Sequence, residues 1–377
     1  MGGLTACTAL KRAGWEAHVF EKAAEIRERG SGLAIASNAV LALRVLGLEE
    51  PVVAAGEVVD ALDLRSSRGT RLGRLSLTEL GRRVGAPNVA ISRADLISSL
   101  RSAAPPRRLH PGRALASFRE TGDSVVATFD DGSEEVGDIL IGADGIHSAV
   151  RPLLHGPAPP AYAGYTSWRG LAITAPAGLP PATGGQTWGR GAIFGFGPIG
   201  RGRVAWWTTE RAAEGGRDGP SGALTRLSKA LGSWHAPIPE ILAMTDEAEV
   251  IRTDIHARPP PLLWGRGRVS LIGDAAHLMT PELGQGACQA IVDAAELGRC
   301  LTGAGSANAP EALRRFEARS HPRALLAMKK SAQFAAFAQL RSPARCALRN
   351  AVLRLTPGSV RIRSFSRLLQ RGSLPPV

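Results

Sequence analysis

The pattern of hydrophobic and polar positions is most informative between residues 268 and 301. An apolar run at residues 269–272 ends at Gly273 and Asp274, and a loop rich in Pro and Gly follows. Apolar residues then recur at helical spacing, at Ala287, Ala290, Ile291, Ala294, Leu297 and Leu301. The pattern predicts a buried strand, a ligand-binding loop and a helix, in that order.

The residue types at this break indicate what the loop binds. A carboxylate at the end of a buried strand is a hydrogen-bond acceptor fixed on a rigid element. Gly284 and Gly286 allow the backbone to approach a flat ligand closely. The helix that follows directs its unpaired N–H groups and the positive end of its dipole toward the loop. This arrangement suits a cofactor that accumulates negative charge.

The first residues show the pattern of a dinucleotide-binding βαβ unit. A helix is predicted from about Leu4 to Arg12, then a turn at Gly14 and a strand that ends at Glu21. Such units place a Gly-rich turn before the helix, and an acidic residue about 20 positions later accepts the ribose hydroxyls. Gly3 and Glu21 stand in this relationship.

Further elements follow from local signals. A helix is predicted to begin near Asn38, a strand pair to occupy residues 58–80, and a helix to follow Ser92 as its N-cap. Residues 113–136 predict a β-hairpin with a turn at Asp131 and Gly132. The region after residue 305 is predicted to be helical.

Between residues 157 and 260 the composition shifts to Pro, Gly and Trp with short alternating runs, which predicts an antiparallel sheet that covers the ligand. Arg169 and Arg190 are candidates to anchor an acidic substrate, and nothing in the spacing decides between them. The aromatic residues of the strands either line a substrate cavity or, as we favour, form core. These residues are Trp168, Trp188, Phe194, Phe196, Trp206 and Trp207.

Length and composition favour a soluble α/β enzyme of two or three domains, with 377 residues, 44% of them hydrophobic, and 44 glycines. No apolar run is long enough to cross a bilayer and no signal-peptide pattern is present, so a cytoplasmic location is predicted. The cysteines are scattered, without metal-ligand spacing, and are predicted to be buried thiols without a disulfide, zinc or redox role. They are Cys7, Cys288, Cys300 and Cys346.

The net charge of +13 is concentrated at the C-terminal end of the chain. Residues 311–377 contain fourteen Arg and Lys residues but only two acidic ones, Glu311 and Glu317, which gives +12 for this segment. Such charge is compatible with a membrane surface or with nucleic acid. Because no aromatic residues alternate with the basic ones in a nucleic-acid motif, a solvated helical face is favoured and no nucleic-acid partner is predicted.

The string GDAAH at residues 273–277, followed by PELGQG at 281–286, resembles the second flavin fingerprint of the FAD-dependent aromatic-ring monooxygenases. This is the p-hydroxybenzoate hydroxylase-like family of group A flavoprotein monooxygenases. The resemblance implies that Asp274 hydrogen-bonds the ribityl chain of FAD and that Pro281, Gly284 and Gly286 pack beside its isoalloxazine ring. A simple strand, turn and helix with an Asp N-cap explains only part of the string.

The chain departs from the family pattern at two positions of this loop. Leu278 stands where Pro is common, and Glu282 stands where Asn or Asp is common. Both departures are expected to alter the packing beside the flavin without abolishing its binding. His277 belongs to the fingerprint and is expected to be structural.

The same resemblance implies further FAD contacts. Arg93, in the string ISRADL, and Arg27, with Arg29 as a weaker match, would contact FAD, and Leu115 would contact the adenine through its backbone. The alternative for the arginines is a solvated surface position.

Asp144 and Gly145 match a third fingerprint, which in the family serves the FAD pyrophosphate and the nicotinamide cofactor, with Arg151 following on a helix. The alternative for Asp144 and Gly145 is an ordinary turn after a strand.

Family members carry GxGxxG after an initial strand, and only the last of these glycines, Gly3, is present here. The resemblance therefore implies that the first, central strand of the parallel sheet and two fingerprint glycines are missing, which weakens the cradle for the pyrophosphate. A start codon assigned too far downstream is the favoured explanation. A chain shortened at that point and a degenerate protein are the alternatives.

The predicted fold class is α/β, with a Rossmann-like FAD-binding domain whose first strand is missing, an inserted antiparallel β-sheet substrate domain and C-terminal helices. The FAD-binding domain is expected at residues 1–57, 88–156 and 265–305. The substrate domain is expected at residues 58–87 and 157–264, and a basic helical segment at 306–377.

The resemblance implies an FAD-dependent, NAD(P)H-consuming monooxygenase. Oxygen would add to reduced flavin at its C4a position, and one oxygen atom of the resulting hydroperoxide would pass to an aromatic or polyketide-like small molecule. The cofactor carries this chemistry, so no catalytic side chain can be named and no metal is predicted. The expected partners are the substrate and O2, the expected state is a monomer or homodimer, and membrane contact through the basic segment is a secondary possibility.

Two alternatives remain open. An epoxidase or a reductase on the same scaffold is the nearer one, since the strings GACQAI and DAAEL resemble those of carotenoid epoxidases. The other is a degenerate, non-catalytic flavoprotein remnant that binds partners through its basic tail.

Overall fold

The computed structural model describes residues 1–25, 31–259 and 262–374. The strands are β1 Val19–Glu21, β2 Gly32–Ile35, β3 Glu57–Val58, β4 Ala61–Ser66, β5 Arg71–Ser76, β6 Val89–Ser92, β7 Leu109–Pro111, β8 Leu115–Glu120, β9 Val125–Phe129, β10 Glu134–Gly137, β11 Leu140–Gly142, β12 Ala161–Ala172, β13 Thr183–Trp188, β14 Ala192–Pro198, β15 Val204–Glu210, β16 Ile251–Ala257 and β17 Val269–Leu271. The helices are α1 Gly2–Arg12, α2 Ser37–Val45, α3 Glu49–Ala55, α4 Leu77–Val84, α5 Arg93–Ser102, α6 Val150–His155, α7 Gly222–Leu231, α8 Ile238–Ala243, α9 Asp274–His277, α10 Gln285–Leu301, α11 Ala309–Ala338, α12 Pro343–Leu355 and α13 Gly358–Arg371.

Two parallel strand pairs carry the loops of the candidate site. β1 pairs with β7 and β11 pairs with β17, and these pairs are separate sheets in the described part of the chain. Because β11 and β17 run side by side in the same direction, the loops that follow them leave the same edge. α1 and α10 pack closely at Gly298, where an added Cβ would lie 2.9 Å from the carbonyl oxygen of Ala9. This mixture of parallel strands and helices confirms the predicted α/β class.

A seven-stranded sheet in the order β16-β12-β15-β14-β13-β4-β5 stands beside this unit. This sheet combines β4 and β5, which are the predicted strand pair, with β12 to β16, which are the strands of residues 157–260. One pair differs from the expectation of an antiparallel sheet, since β4 and β13 run parallel. They do so because the chain enters both strands from the same end of the sheet. The local alternation of apolar and polar residues does not reveal this direction.

The aromatic residues of this sheet are mostly core, as favoured. Trp168, Phe194 and Trp206 are buried with helices α7 and α8 in one apolar cluster. Trp188 is buried on another cluster with Phe334 of α11, and the ring centroids are 5.4 Å apart. The sheet is therefore covered by helices on both faces and holds its position relative to the α/β unit.

The C-terminal region is helical, as predicted, and consists of α11, α12 and α13. α11 packs on α10, and Gln339 after its end donates a hydrogen bond of 2.7 Å to Thr209 of β15. The carbonyl of Gly372, after α13, accepts hydrogen bonds from Asn38 and from Gln289 of α10. Among the described residues, no helix is long and apolar enough to span a membrane.

Candidate functional site

Asp274 lies at the carboxyl end of β17 and faces the N-terminus of α10. Gly273 turns the chain there with φ +62°, a left-handed conformation that glycine adopts without steric cost. A Cβ added at Gly286 would lie 3.7 Å from Asp274 Oδ1, so the first turn of α10 adjoins this carboxylate. Burial raises the pKa of Asp274, and the charges of His277 and Arg93 oppose that shift. The predicted strand, loop and helix thus bring Asp274 and Gly286 together.

The N-terminus of α10 is open toward the loop. Its N-cap is Gly284 in a left-handed conformation with φ +62°, no described side chain caps it, and its first turn contains no acidic residue. The helix is 17 residues long, so its unpaired N–H groups and dipole present a positive end. Such an end fits the electron-rich edge of an anionic planar ligand.

Three predicted residues surround the start of α1. Burial and then the charge of Arg93 lower the pKa of the Met1 amino group, and the charges of Glu21 and Asp274 oppose that shift. Arg93 is exposed, and its guanidinium makes no hydrogen bond or ion pair within the described residues. One oxygen of Glu21 accepts a hydrogen bond of 3.0 Å from the backbone N–H of Ala23. These charged groups come from three separate segments and converge beside the strand end.

The remaining predicted residues near β1 have simpler surroundings. A Cβ added at Gly3 would lie 3.6 Å from the Cβ of Ala143, an ordinary contact distance, so a small side chain would fit there. Leu115 begins β8 and is half-buried. The backbone N–H of Arg113 donates to the carbonyl of Glu21 over 3.1 Å, which brings the start of β8 beside the end of β1.

Arg27 lies outside the described residues, as does Arg29. The prediction that Arg27 contacts FAD therefore stays a prediction.

Asp144 and Gly145 form the loop after β11, next to the Asp274 loop. Asp144 Oδ2 accepts hydrogen bonds from the backbone N–H groups of Ala149, at 2.7 Å, and Val150, at 3.1 Å. It therefore fixes the start of α6 from outside the helix, since the N-cap residue Ala149 makes no side-chain capping hydrogen bond. Gly145 supplies the left-handed conformation of this turn, with φ +77°. A contact of this loop with either cofactor remains a prediction.

Arg151 links the two loops at this sheet edge. It is buried on α6, and its Nη1 donates to the carbonyl oxygens of Ala275, at 2.8 Å, and Ala276, at 3.3 Å. Burial and the charge of Arg258 lower the pKa of Arg151. The side chain therefore fixes the α9 turn, and with it the start of the loop at Asp274.

The loop between α9 and α10 is held from two sides. The Tyr165 hydroxyl of β12 donates a short hydrogen bond to Glu282 Oε1, and Ser331 Oγ of α11 donates to the carbonyl of Thr280 over 2.5 Å. Pro281 begins a single 3-10 turn between these anchors. Glu282 Oε2 is buried without a hydrogen-bond partner among the described residues. Burial raises the pKa of Glu282, and the hydrogen bond from Tyr165 opposes that shift.

A buried polar cluster behind this loop was not identified from the sequence. Asp293 of α10 accepts hydrogen bonds from the backbone N–H of Gly273, at 3.1 Å, from Arg323, at 2.5 Å, and from His277. The sequence does contain a signal for this cluster, because Gln285, Gln289 and Asp293 repeat at every fourth residue of a mainly apolar helix. His277 is structural, as expected.

Arg169 extends the site toward the seven-stranded sheet. It lies on β12, four residues after Tyr165, and its Nη2 donates to Thr253 Oγ1 over 2.7 Å. Burial and then the charge of Arg93 lower the pKa of Arg169, which places the two guanidinium groups near each other. Arg190 is exposed in the turn between β13 and β14. Arg169 is therefore the better candidate to meet an acidic group beside the loop.

A groove with a volume of about 540 Å³ borders the same loop at Leu283. Its walls come from α11 and α13. The apolar residues along it are Leu326, Phe334, Val360, Phe365 and Leu368, and the basic residues are Lys330, Arg363, Arg367 and Arg371.

Two further observations concern cysteines and metals. All four cysteines are buried, as predicted, and each is a free thiol. Residues 1–25, 31–259 and 262–374 contain no cluster of three or more His, Cys, Asp or Glu side chains suited to a metal ion.

Comparisons with known proteins place this geometry in context. The family described as FAD binding domain matches residues 1–331. The aurachin C monooxygenase/isomerase of Stigmatella aurantiaca is 41% identical over 318 residues, which are 84% of this chain and 82% of that protein. The chloroplastic zeaxanthin epoxidase of Nicotiana plumbaginifolia is 32% identical over 333 residues, 82% of this chain but 49% of that longer protein. The crystal structure of Klebsiella pneumoniae HpxO complexed with FAD and uric acid superimposes with a TM-score of 0.93 at 29% identity and covers 98% of this chain and 95% of that one.

Proposed function

Since the chain belongs to the FAD binding domain family and is an FAD-dependent monooxygenase, we propose that it consumes NAD(P)H and inserts one oxygen atom of O2 into an aromatic or polyketide-like small molecule. One oxygen atom enters the product, and the other leaves as water with the two electrons of NAD(P)H. Bound FAD supplies the oxygen activation, proposed to occur at its C4a position. The protein supplies orientation, polarity and exclusion of water.

The observation that carries this proposal is the position of Asp274 beside Gly286 at the open end of α10. The carboxylate offers an acceptor for the hydroxyls of the ribityl chain. The N–H groups and dipole of α10 would stabilise negative charge on reduced flavin, an effect of the kind worth about 3 kcal/mol when one donor is lost. Pro281 and Gly284 are exposed on the loop, and a glycine lets a flat ring approach the backbone closely.

The adenosine half of FAD is assigned to the other predicted residues. Glu21 is proposed to accept the ribose hydroxyls, with Leu115 beside it for the adenine, because β8 starts next to the end of β1. Arg93 is proposed to neutralise the pyrophosphate near Gly3, since its exposed guanidinium has no partner among the described residues. The loop of Asp144 and Gly145 adjoins the same sheet edge and is also proposed to contact FAD. Arg27 is proposed to contact FAD as well.

The substrate is proposed to lie between the loop and the seven-stranded sheet. Tyr165 and Arg169 face this space from β12, and Glu282 faces it from the loop. The unpartnered Glu282 Oε2 and the half-buried Arg169 offer one hydrogen-bonding and one cationic contact there. Such a pair of contacts favours a ring with one acidic or phenolic group. The domain division expected from the sequence, with residues 58–87 and 157–264 on the substrate side, is part of this proposal.

The test is whether the protein couples NAD(P)H oxidation to oxygen insertion. Purified protein reconstituted with FAD should retain flavin absorbance after gel filtration, and NADH and NADPH should each be tested as reductant. Phenols, quinolones and naphthols are suitable probes for substrate-stimulated oxidation, with ¹⁸O₂ to label the product. A protein that retains no flavin, or that oxidises NAD(P)H without labelled product for every probe, would refute the proposed reaction.

Epoxidation is the second candidate function. The zeaxanthin epoxidase relative and the GACQAI string favour it. Replacing the phenolic probes with a conjugated polyene distinguishes the two, because an epoxidase gives an ¹⁸O-labelled epoxide from the alkene and no hydroxylated ring.

A further inference from the structure

Helix α12 exposes an apolar stripe to solvent. Leu348, Val352 and Leu355 are 66%, 48% and 82% exposed, and Val360 of α13 is 50% exposed. The three residues of α12 follow at intervals of four and three, so they share one face of the helix. Of the thirteen large apolar side chains that are exposed in the described residues, four fall within residues 348–360.

The opposite face of α12 already packs on the protein. Cys346 and Arg349 are buried, and Leu353 packs on the cluster around Trp188. Arg349 donates to the carbonyl of Ala338 at 2.7 Å, which fixes this face inward. The exposed stripe is therefore a second apolar face with nothing in the described chain to cover it, and isolated exposed leucines do not explain its regular spacing.

Positive charge surrounds this stripe. After Glu317 the sequence has twelve Arg and Lys residues and no Asp or Glu. Arg345 and Arg354 on α12, and Arg363 and Arg367 on α13, are exposed. None of these four has an ion-pair partner among the described residues. The surface thus combines unpaired cations with protruding aliphatic side chains.

We propose that α12 and the start of α13 form a docking surface for a lipid bilayer with anionic headgroups. Helices that lie in a membrane interface bury an apolar face at the acyl boundary while their Lys and Arg side chains meet anionic headgroups. A second copy of the chain is disfavoured as the occupant because two such surfaces carry the same charge. Nucleic acid is disfavoured because the stripe presents aliphatic side chains, without the aromatic groups on which bases stack.

The surface adjoins the groove that leads to Leu283. Val360 belongs to both, since it is exposed and lines the groove. It follows Leu355 by five residues, a span of at most about 18 Å. A lipophilic molecule near the surface of the bilayer would therefore lie close to the groove. The docking itself does not depend on the reaction proposed above.

Vesicle binding by the full chain tests the proposal. Phosphatidylcholine vesicles with and without phosphatidylglycerol are the probes, and bound protein is measured by flotation. The variant Leu348→Ser/Leu355→Ser should weaken binding to the anionic vesicles by roughly tenfold or more. Its matched control, Val136→Ser/Ile173→Ser, removes two equally exposed apolar residues at 70% and 72% exposure elsewhere and should bind like wild type. Thermal unfolding verifies that both variants are folded.

A second variant tests the charge. Arg345→Gln/Arg354→Gln should weaken binding to anionic vesicles about thirtyfold, at about fivefold for each basic residue near the membrane, while Arg68→Gln/Arg107→Gln should not. Equal binding to neutral and anionic vesicles, equal effects of both leucine and control variants, or no vesicle binding would overturn the proposal. So would binding that RNA abolishes and that is insensitive to Leu348→Ser/Leu355→Ser, or a dimer that this variant dissociates.

Discussion

His277 Nε2 lies 2.6 Å from Asp293 Oδ2, and both side chains are fully buried. The same carboxylate accepts the backbone N–H of Gly273 and pairs with Arg323 of α11. Asp293 therefore ties the turn before Asp274 to both α10 and α11. The residue that faces the proposed cofactor is therefore positioned by a polar cluster that holds the preceding residue, Gly273.

Replacing Asp293 should destabilise the protein strongly. Asp293→Asn keeps the shape of the side chain but leaves buried Arg323 without a charged partner. Breaking a buried pair in this way costs about 3 kcal/mol in the free energy of unfolding. Urea unfolding measures this cost, with Asp138→Asn at an exposed site as the control. A loss no larger than that of the control would show that the cluster contributes little.

The same carboxylate should make stability depend on acid pH. Burial alone would raise the pKa of Asp293, but the charge and hydrogen bond of His277, with Arg323, hold the pKa below its usual value. Because the pKa is depressed in the folded state, the stabilisation is fully present above about pH 4 and is lost as pH falls through the folded pKa. Urea unfolding across this range should therefore give a steeper decline for wild type than for Asp293→Asn. Parallel curves would contradict the assignment.

Removing the carboxylate of Asp274 should weaken FAD binding. Asp274→Ala deletes the proposed acceptor for the ribityl hydroxyls, and a hydrogen bond to a charged group contributes about 1.5–3 kcal/mol. We expect the Kd for FAD to rise about tenfold to a hundredfold. Titration of flavin fluorescence measures the Kd, with Asp138→Ala as the matched control. An unchanged Kd would remove Asp274 from the proposed site.

Neutralising Glu282 should stabilise the protein at neutral pH. The pKa of Glu282 is raised by burial, so the carboxyl is protonated in both states well below pH 4 and carries no ionisation cost there. The cost appears as pH rises above the unfolded pKa of about 4.3 and is complete above the folded pKa. Glu282→Gln keeps an acceptor for Tyr165 and should have a higher free energy of unfolding than wild type at pH 7, with a smaller difference at pH 3.

The variant Tyr165→Phe should change the free energy of unfolding in the opposite direction. It removes the hydrogen bond that lowers the pKa of Glu282, so the protein should be less stable than wild type at pH 7. Urea unfolding at pH 3 and pH 7 measures the free energy of unfolding of wild type and of both variants. A Glu282→Gln variant that is less stable than wild type at pH 7 would mean that Glu282 gains more as a carboxylate than burial costs it.

Local patterns predicted much of the fold. The apolar run at residues 269–272, the glycines after it and the helical spacing beyond gave β17, the loop and α10 in the right order. Ser92 caps α5 through the N–H of Asp95, as predicted. The strand pair β4 and β5 and the helical tail also follow from local signals. The parallel pairing of β4 with β13 did not, because register between distant strands depends on how the chain returns.

The sequence by itself determined many elements of this protein, though not helices α4, α7 and α8, and it determined the family of the flavin fingerprint. It could do so because turns, caps and helical periodicity act over a few residues. Only the tertiary structure decided which charges meet. It brought Tyr165 to Glu282, Arg323 to Asp293 and Arg169 near Arg93, and it left Leu348, Val352 and Leu355 uncovered. The physical reason is that burial and pairing depend on contacts between segments far apart in the chain, and no local spacing encodes them.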